Sequence, residues 1–168
     1  MTYGPDRDRD ERGRARNSRP RDHLGRPLPR DQTGVAPLPE HLALNPSQSL
    51  TTAQDLLDRG WPFQAHEVLE AAWKSAAEPE RMLWQGLAQL AVAVTHAARG
   101  NRHGAATLLE RGRTAIKPYS ENTPHAIDVP GLLAWASSCL TQIASPNAGP
   151  IDLRPPQLRL THLDGQPK

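Results

Sequence analysis

HEVLEAAW, at residues 66–73, is the most informative stretch of this 168-residue sequence. At about 100° per residue, His66, Glu70 and Trp73 fall on one side of a helix. Neighbouring alanines continue an apolar arc, so His66 and Glu70 are expected along the margin of the core rather than out in water. Pro62 indicates where this helix begins, because a proline in the first turn loses no hydrogen bond.

Four further helices are predicted from apolar periodicity and turn residues. We place them from Ser49 or Thr51 to Gly60, from Arg81 to about Arg99, from the Gly100-Asn101 turn to Pro118, and from Asp128 to Ile143. The third helix along the chain, MLWQGLAQLAVAVTHAA, is apolar on nearly all sides, which predicts a central position.

A weak internal repeat aligns Gly60 with Gly100 and Ala65 with Ala105. Either a duplication or the general need of helical hairpins for glycine at the turn explains it. Both explanations predict two packed hairpins. The predicted fold class is therefore all-α, a compact bundle of about five helices built from two helical hairpins with tetratricopeptide-like (TPR-like) pairing.

Proline and charge predict three regions. Of the 17 prolines, seven fall at or before residue 46 and five at or after residue 146. We expect a disordered or extended arm rich in Arg, Asp and Pro over residues 1–46, a helical bundle domain over 47–145, and an irregular tail over 146–168. Within the arm, RPRDHLGRPLPRD at residues 19–31 is either a solvated tail or a docking segment. In the tail, IDLRPPQLRL at residues 151–160 is a candidate for an extended strap over the bundle.

The charge distribution argues against several classes of function. Residues 1–31 hold nine arginines against six acids, net +3, which leaves −1 for the rest of a chain whose total is +2. Because acids interrupt the arginines, nucleic-acid binding is disfavoured. The single cysteine excludes an internal disulfide. No apolar run reaches the ~18 residues of a membrane helix and no signal-peptide core is present, so we expect a cytoplasmic protein that makes no membrane contact.

Three sequence blocks resemble a known family. HEVLEAAW, LWQGLAQLAVAVTHAARGN and GAATLLERG, in this order and spacing, resemble the small helical family called domain of unknown function 309. The resemblance spans roughly residues 53–116 and implies a bundle of about five helices, but no activity. Carried onto this chain, the family pattern points to His66, Glu67, Glu70, Trp73, Gln85, Gly86, Gln89, Ala91, His96, Gly100, Asn101, Gly104 and Ala105. Thr95 stands where the family pattern often has an aromatic residue.

A polar stripe on the third helix is expected to face HEVLEAAW. Gln85, Gln89 and His96 share one face of a helix that is otherwise suited to burial. Buried amides and imidazoles need partners, because an unsatisfied one costs about 1–3 kcal/mol. The short connection between the second and third helices makes them antiparallel neighbours. The expected partners are therefore His66 and the two carboxylates beside it.

Three hypotheses follow. The leading one is a binding or interaction module with a polar groove between helices two and three that takes a partner protein or a small-molecule ligand. Its candidate ligand-binding residues are His66, Glu67, Glu70, Trp73, Gln85, Gln89, His96 and Asn101. The alternative is a metal-dependent hydrolase-type enzyme with a divalent metal on His66, Glu70 and His96, although HEVLE lacks the second histidine of HExxH. The third is a hydrogen-bond network that only fixes helix register. No cofactor and no catalytic residue is identified, an enzyme is less favoured than a binding module, and a homo-oligomer stays open.

Overall fold

The computed structural model describes residues 19–39, 42–145, 149 and 151–160 of the chain. Within them lie five α-helices: α1 (Pro46–Asp58), α2 (Pro62–Ser75), α3 (Glu78–Ala98), α4 (Arg102–Ile116) and α5 (Val129–Ala144). Two short 3-10 turns, Lys117–Tyr119 and Pro124–Ala126, connect α4 to α5. The all-α bundle predicted from sequence is confirmed. The disorder predicted for the first eighteen residues falls outside the described residues.

The start of α1 differs from the prediction. Asn45 caps this helix, with its side chain accepting from Gln48 N at 2.9 Å while Gln48 Oε1 accepts from Asn45 N at 2.9 Å. This reciprocal capping box satisfies two amides that a helix start leaves unpaired. The predicted start at Ser49 or Thr51 was wrong because Pro46 already fits the first turn. The predicted cap of α5 is confirmed, since Asp128 Oδ1 accepts from Gly131 N at 2.9 Å.

Helix α3 occupies the centre of the bundle. It packs against α2 on one side and α4 on the other. Leu83, Trp84, Leu87 and Leu90 are all at most 1% exposed, as an all-round apolar helix requires. The predicted central position is confirmed. Among the described helices, none is long and apolar enough to cross a membrane.

Two glycines set the distance between α3 and α4. A Cβ added to Gly86 would lie 2.5 Å from Ile116 Cγ2 and 3.0 Å from Gly112 O. A Cβ added to Gly112 would in turn lie 2.7 Å from Leu90 Cδ2 and 3.0 Å from Gly86 O. The two backbones therefore approach each other more closely than any residue with a side chain permits at this crossing.

Residues 151–160 form an extended strap, as their sequence suggested. Ile151, Leu153 and Leu158 are buried against the bundle. Leu158 N donates to Gln54 Oε1 at 2.8 Å, and Gln54 Nε2 donates to Pro156 O at 3.2 Å. A glutamine side chain carries both a hydrogen-bond donor and an acceptor, so Gln54 of α1 can satisfy two backbone groups of this irregular segment.

Residues 19–39 of the arm fold back on the bundle. Backbone hydrogen bonds from Leu28 N to Pro20 O (2.7 Å) and from Val35 N to Arg21 O (2.8 Å) make it a compact loop. Leu24 is only 6% exposed, and Arg99 at the end of α3 donates from Nε to Leu24 O at 2.9 Å. Of the two interpretations of residues 19–31, docking therefore applies, and the surface on which they dock is the chain's own bundle.

Gly86→Ala tests the close approach of α3 and α4. We expect a loss of about 1–3 kcal/mol in the free energy of unfolding, because the added methyl meets backbone as well as side-chain atoms. Gly149→Ala is the matched control, since no described atom lies within 4 Å of its added Cβ. Urea unfolding of the three proteins measures the difference. Equal stability of Gly86→Ala and wild type would contradict the crossing described here.

Leu24→Ala tests the docking of the arm. Truncating a buried leucine costs about 2–5 kcal/mol, which is more than a short loop is expected to withstand. We expect the amides of Leu28 and Val35 to exchange hydrogen much faster while the helices stay protected. Leu28→Ala serves as control because Leu28 is only partly buried. Unchanged protection at Val35 in Leu24→Ala would show that the arm is held by other contacts.

Candidate functional site

A cleft of about 740 Å³ lies between the arm and α2. The first two turns of α2 contribute one wall through Phe63, Gln64 and Glu67. Phe63 and Glu67 are four residues apart and therefore share a face of the helix. The arm contributes the opposite wall, which includes the side chains of Arg19, Arg21 and Arg30 and the backbone around Gly34.

Arg21 is held in place on the arm side of the cleft. Its guanidinium carbon lies 5.7 Å from the centroid of the Phe63 ring, within the range of a cation–π contact. Its Nη1 donates to Gly25 O at 2.5 Å. Gly25 has a φ of +72°, and a Cβ at this position would overlap the Phe63 ring. A glycine is therefore required where the arm passes over Phe63, and the turn it makes aims Arg21 at α2.

Glu67 faces this cationic wall from α2. Burial raises the pKa of its carboxyl group above the ordinary value, the Arg21 guanidinium lowers it, and the Glu70 carboxylate raises it further. In the described part of the chain Glu67 and Arg21 do not form an ion pair within 4 Å. The Glu67 carboxylate is thus partly desolvated, and it interacts with the Arg21 guanidinium through Coulombic attraction without direct contact.

Gln64 forms part of the floor of the cleft with an unsatisfied amide. The residue is 5% exposed, and among the described residues its Oε1 has no hydrogen-bond partner. A buried polar atom without a partner costs about 1–3 kcal/mol. The sequence prediction missed Gln64, although its signal was readable: it is a polar residue on the same helix face as Val68, which is buried.

His66, Glu70 and Lys74 form a row of ionisable side chains along α2. His66 Nε2 lies 3.3 Å from Glu70 Oε2, and Lys74 Nζ lies 2.8 Å from Glu70 Oε1. Burial lowers the pKa of His66, and the Glu70 carboxylate opposes this shift. The Phe63 backbone also raises the pKa of His66. The buried Nδ1 of His66 has no hydrogen-bond partner among the described residues.

His96 and Asn101 serve a different purpose at the junction of α3 and α4. Asn101 caps α4 by accepting from Gly104 N at 2.9 Å, and its Nδ2 donates to His96 Nδ1 at 2.8 Å. A Cβ on Gly104 would lie 2.5 Å from that same nitrogen, so glycine is needed for the cap to close. Burial lowers the pKa of His96, and the positive charge of Arg99 lowers it further. This part of the candidate set fixes the turn between two helices.

The remaining candidates are spread along α2 and α3. Trp73 is partly buried against the core. Gln85 is partly exposed on α3, and Gln89 has a buried Oε1 without a partner in the described chain. Thr95, at the position where an aromatic residue was expected, is buried and donates back to Ala91 O at 3.3 Å.

The structure does not assemble the three-residue metal set. In residues 19–39, 42–145, 149 and 151–160, no group of three or more His, Cys, Asp and Glu side chains is placed to hold a metal ion. His66 pairs with Glu70, while His96 is engaged by Asn101. Glu67 lines two clefts whose other described lining residues belong to α2 and the arm.

Fold and cleft together define an all-helical bundle protein whose N-terminal arm completes a polar cleft on α2. Residues 50–108 match the model of the family described as Domain of unknown function (DUF309), which confirms the resemblance. The matched residues run from α1 into α4, so they include the α2 wall of the cleft but not the arm. Comparison with curated proteins and with solved structures gave no match.

His66→Leu tests whether the polar margin of α2 stabilises the fold. We expect the free energy of unfolding to stay within about 1 kcal/mol of wild type, because the change removes a buried nitrogen that has no partner and retains the packing volume. Leu69→Ala on the same helix is the control and should cost about 2–5 kcal/mol, since Leu69 is fully buried. A loss above about 3 kcal/mol for His66→Leu would instead indicate a stabilising polar network.

The same variant predicts a pH effect. Because the pKa of folded His66 lies below 6.5, the unfolded chain takes up a proton at pH values where the folded imidazole stays neutral. Acidification below about pH 6.5 therefore favours the unfolded wild-type protein. We expect unfolding measured at several pH values to show a shallower acid loss in His66→Leu. Parallel curves for the two proteins would contradict the shift.

Proposed function

We propose that this protein is a binding module that holds a small polar ligand in the cleft between its arm and α2. The observation that carries the proposal is Gln64, a 5% exposed residue on the cleft floor whose amide oxygen has no partner in the described chain. Native proteins satisfy nearly all buried polar atoms, so an unsatisfied one beside a cleft needs a reason. A ligand or ordered water supplies one if it donates to this amide once the Gln64 side chain turns its oxygen toward the cleft.

The size and lining of the cleft support a small ligand. Pockets for small molecules span about 300–1,000 Å³ and combine apolar surface with a few placed polar groups. This cleft has about 740 Å³ and presents Phe63, Val35 and Leu38 beside its charged side chains. A macromolecular partner has less support here, because the arm that was a candidate docking segment is already placed on its own bundle.

The arm gives the cleft a defined shape before any ligand arrives. Leu24 is buried, and Arg99 holds the Leu24 carbonyl. These contacts lie apart from the charged lining, so the arm does not depend on a ligand to stay docked. Preorganised walls raise affinity because less conformational entropy is lost on binding.

Ligand-detected changes in the amide NMR spectrum test the proposal. The probes are small metabolites in three groups: carboxylates, phosphates and amines. We expect at least one compound to shift amides in residues 19–38 and 63–67, and Glu67→Gln to weaken the response to any compound that carries an amine. Glu121→Gln, an exposed glutamate in the loop before α5, is the matched control and should respond as wild type.

Two outcomes would count against the proposal. One is the absence of any response in the cleft to the whole panel. The other is an equal response of Glu67→Gln and wild type to an amine-bearing compound that binds, because Glu67 contributes the only carboxylate among the described residues that line this cleft.

A further inference from the structure

The two walls of the cleft carry opposite chemistry. The arm side includes Arg19, Arg21 and Arg30, whose guanidinium groups can only donate hydrogen bonds, and Arg21 keeps further N–H donors beside the one that Gly25 O accepts. The α2 side presents the Glu67 carboxylate, which can only accept them when ionised, together with the Gln64 amide. A ligand that fills the cleft therefore meets donors on one side and an acceptor on the other.

Neighbouring charges are already used within the protein. Asp22 of the arm pairs with Arg26 at 3.0 Å and accepts from Leu24 N at 2.9 Å. Glu70 pairs with Lys74 at 2.8 Å. Glu67 has no such pairing with Arg21 across the cleft, although the guanidinium charge acts on the carboxylate.

We propose that the cleft takes a dipolar small molecule, with an anionic carboxylate or phosphate group toward the arm arginines and an amine toward Glu67. This inference rests on the proposed binding function and names the ligand class for the same site. Arginine recognises carboxylate and phosphate groups through paired N–H donors. An ammonium group offers three donors, which suits a carboxylate beside a neutral amide.

Simple ions fit the cleft less well. An anion without an amine leaves Glu67 partly buried and adds a second negative charge beside it. A cation without an acidic group meets three arginines. A dipolar ligand avoids both repulsions because each end lies next to the wall of opposite charge, and like-charge contacts are a common basis of discrimination in binding sites.

Matched probes separate the two ends of the ligand. Phosphoethanolamine and β-alanine carry both groups, ethyl phosphate and propionate carry only the anion, and ethylamine carries only the amine. NMR titrations of the full chain at one fixed salt concentration give the affinity of each probe and the amides that respond. We expect each dipolar probe to bind at least about tenfold more tightly than either of its halves.

Variants assign the two ends to the two walls. Glu67→Gln should reduce the advantage of phosphoethanolamine over ethyl phosphate, while leaving ethyl phosphate bound as tightly or more tightly. Arg19→Gln should weaken the binding of both phosphates and leave ethylamine bound as tightly or more tightly. Glu121→Gln should change none of these ratios, since it lies in an exposed loop.

The outcomes distinguish this inference from the binding function on which it rests. Equal affinity of whole and half probes in the cleft overturns the dipolar ligand and leaves a binding site for simple anions or amines. Failure of all five probes, when a compound of the broader panel binds in the cleft, also overturns the dipolar ligand alone. Failure of probes and panel together overturns both.

Discussion

The contact between α3 and α4 at Gly86 and Gly112 is the constraint on which the bundle depends. Each glycine lies where a side chain would meet the backbone of the other helix. The short distance between α3 and α4 lets Leu90 and Ile116 pack with no exposed surface. Dispersion and hydrophobic burial both weaken when such a crossing widens. The space between α3 and α4 at this point is therefore too small for an added methyl group.

Two groups of residues within the matched family region differ in the roles that they have in the structure. His96, Asn101 and Gly104 form one interlocked turn, in which capping and close packing explain every residue type. Gln64 and Glu67 have no comparable explanation. One has an unsatisfied atom and the other a desolvated charge, and apolar residues at these positions would pack at lower cost. Polar groups that a fold does not need are the better candidates for function.

The arm extends the bundle in a way that links stability to the cleft. Leu24 anchors the arm by apolar burial, whereas its arginines line the open side. Arg21 belongs to both groups, because it contacts the Phe63 ring and also lines the cleft. Leu24 carries no charge, so this anchor can be altered without changing the charge of the cleft lining.

The sequence alone determined the helices. Apolar periodicity, Pro62, Pro130 and the Asp128 cap are local signals, and they predicted five helices with a central α3 that the structure confirms. It also identified polar residues of α2, but it left residues 19–31 open between a solvated tail and a docking segment. Its error at the start of α1 came from overlooking a capping box that begins at Asn45, which is likewise a local signal.

Only the tertiary structure decided what faces those polar residues. The sequence predicted α3 as the second wall because neighbouring helices with a short connection must pack. The cleft is instead closed by the arm, through contacts such as that between Leu24 and Arg99, which are 75 positions apart. An irregular segment has no periodicity to indicate which face it covers, and its few contacts depend on how the whole bundle is assembled. Local patterns therefore predict which residues form helices, whereas the pairing of distant surfaces, and with it the site, arises only when the chain has folded.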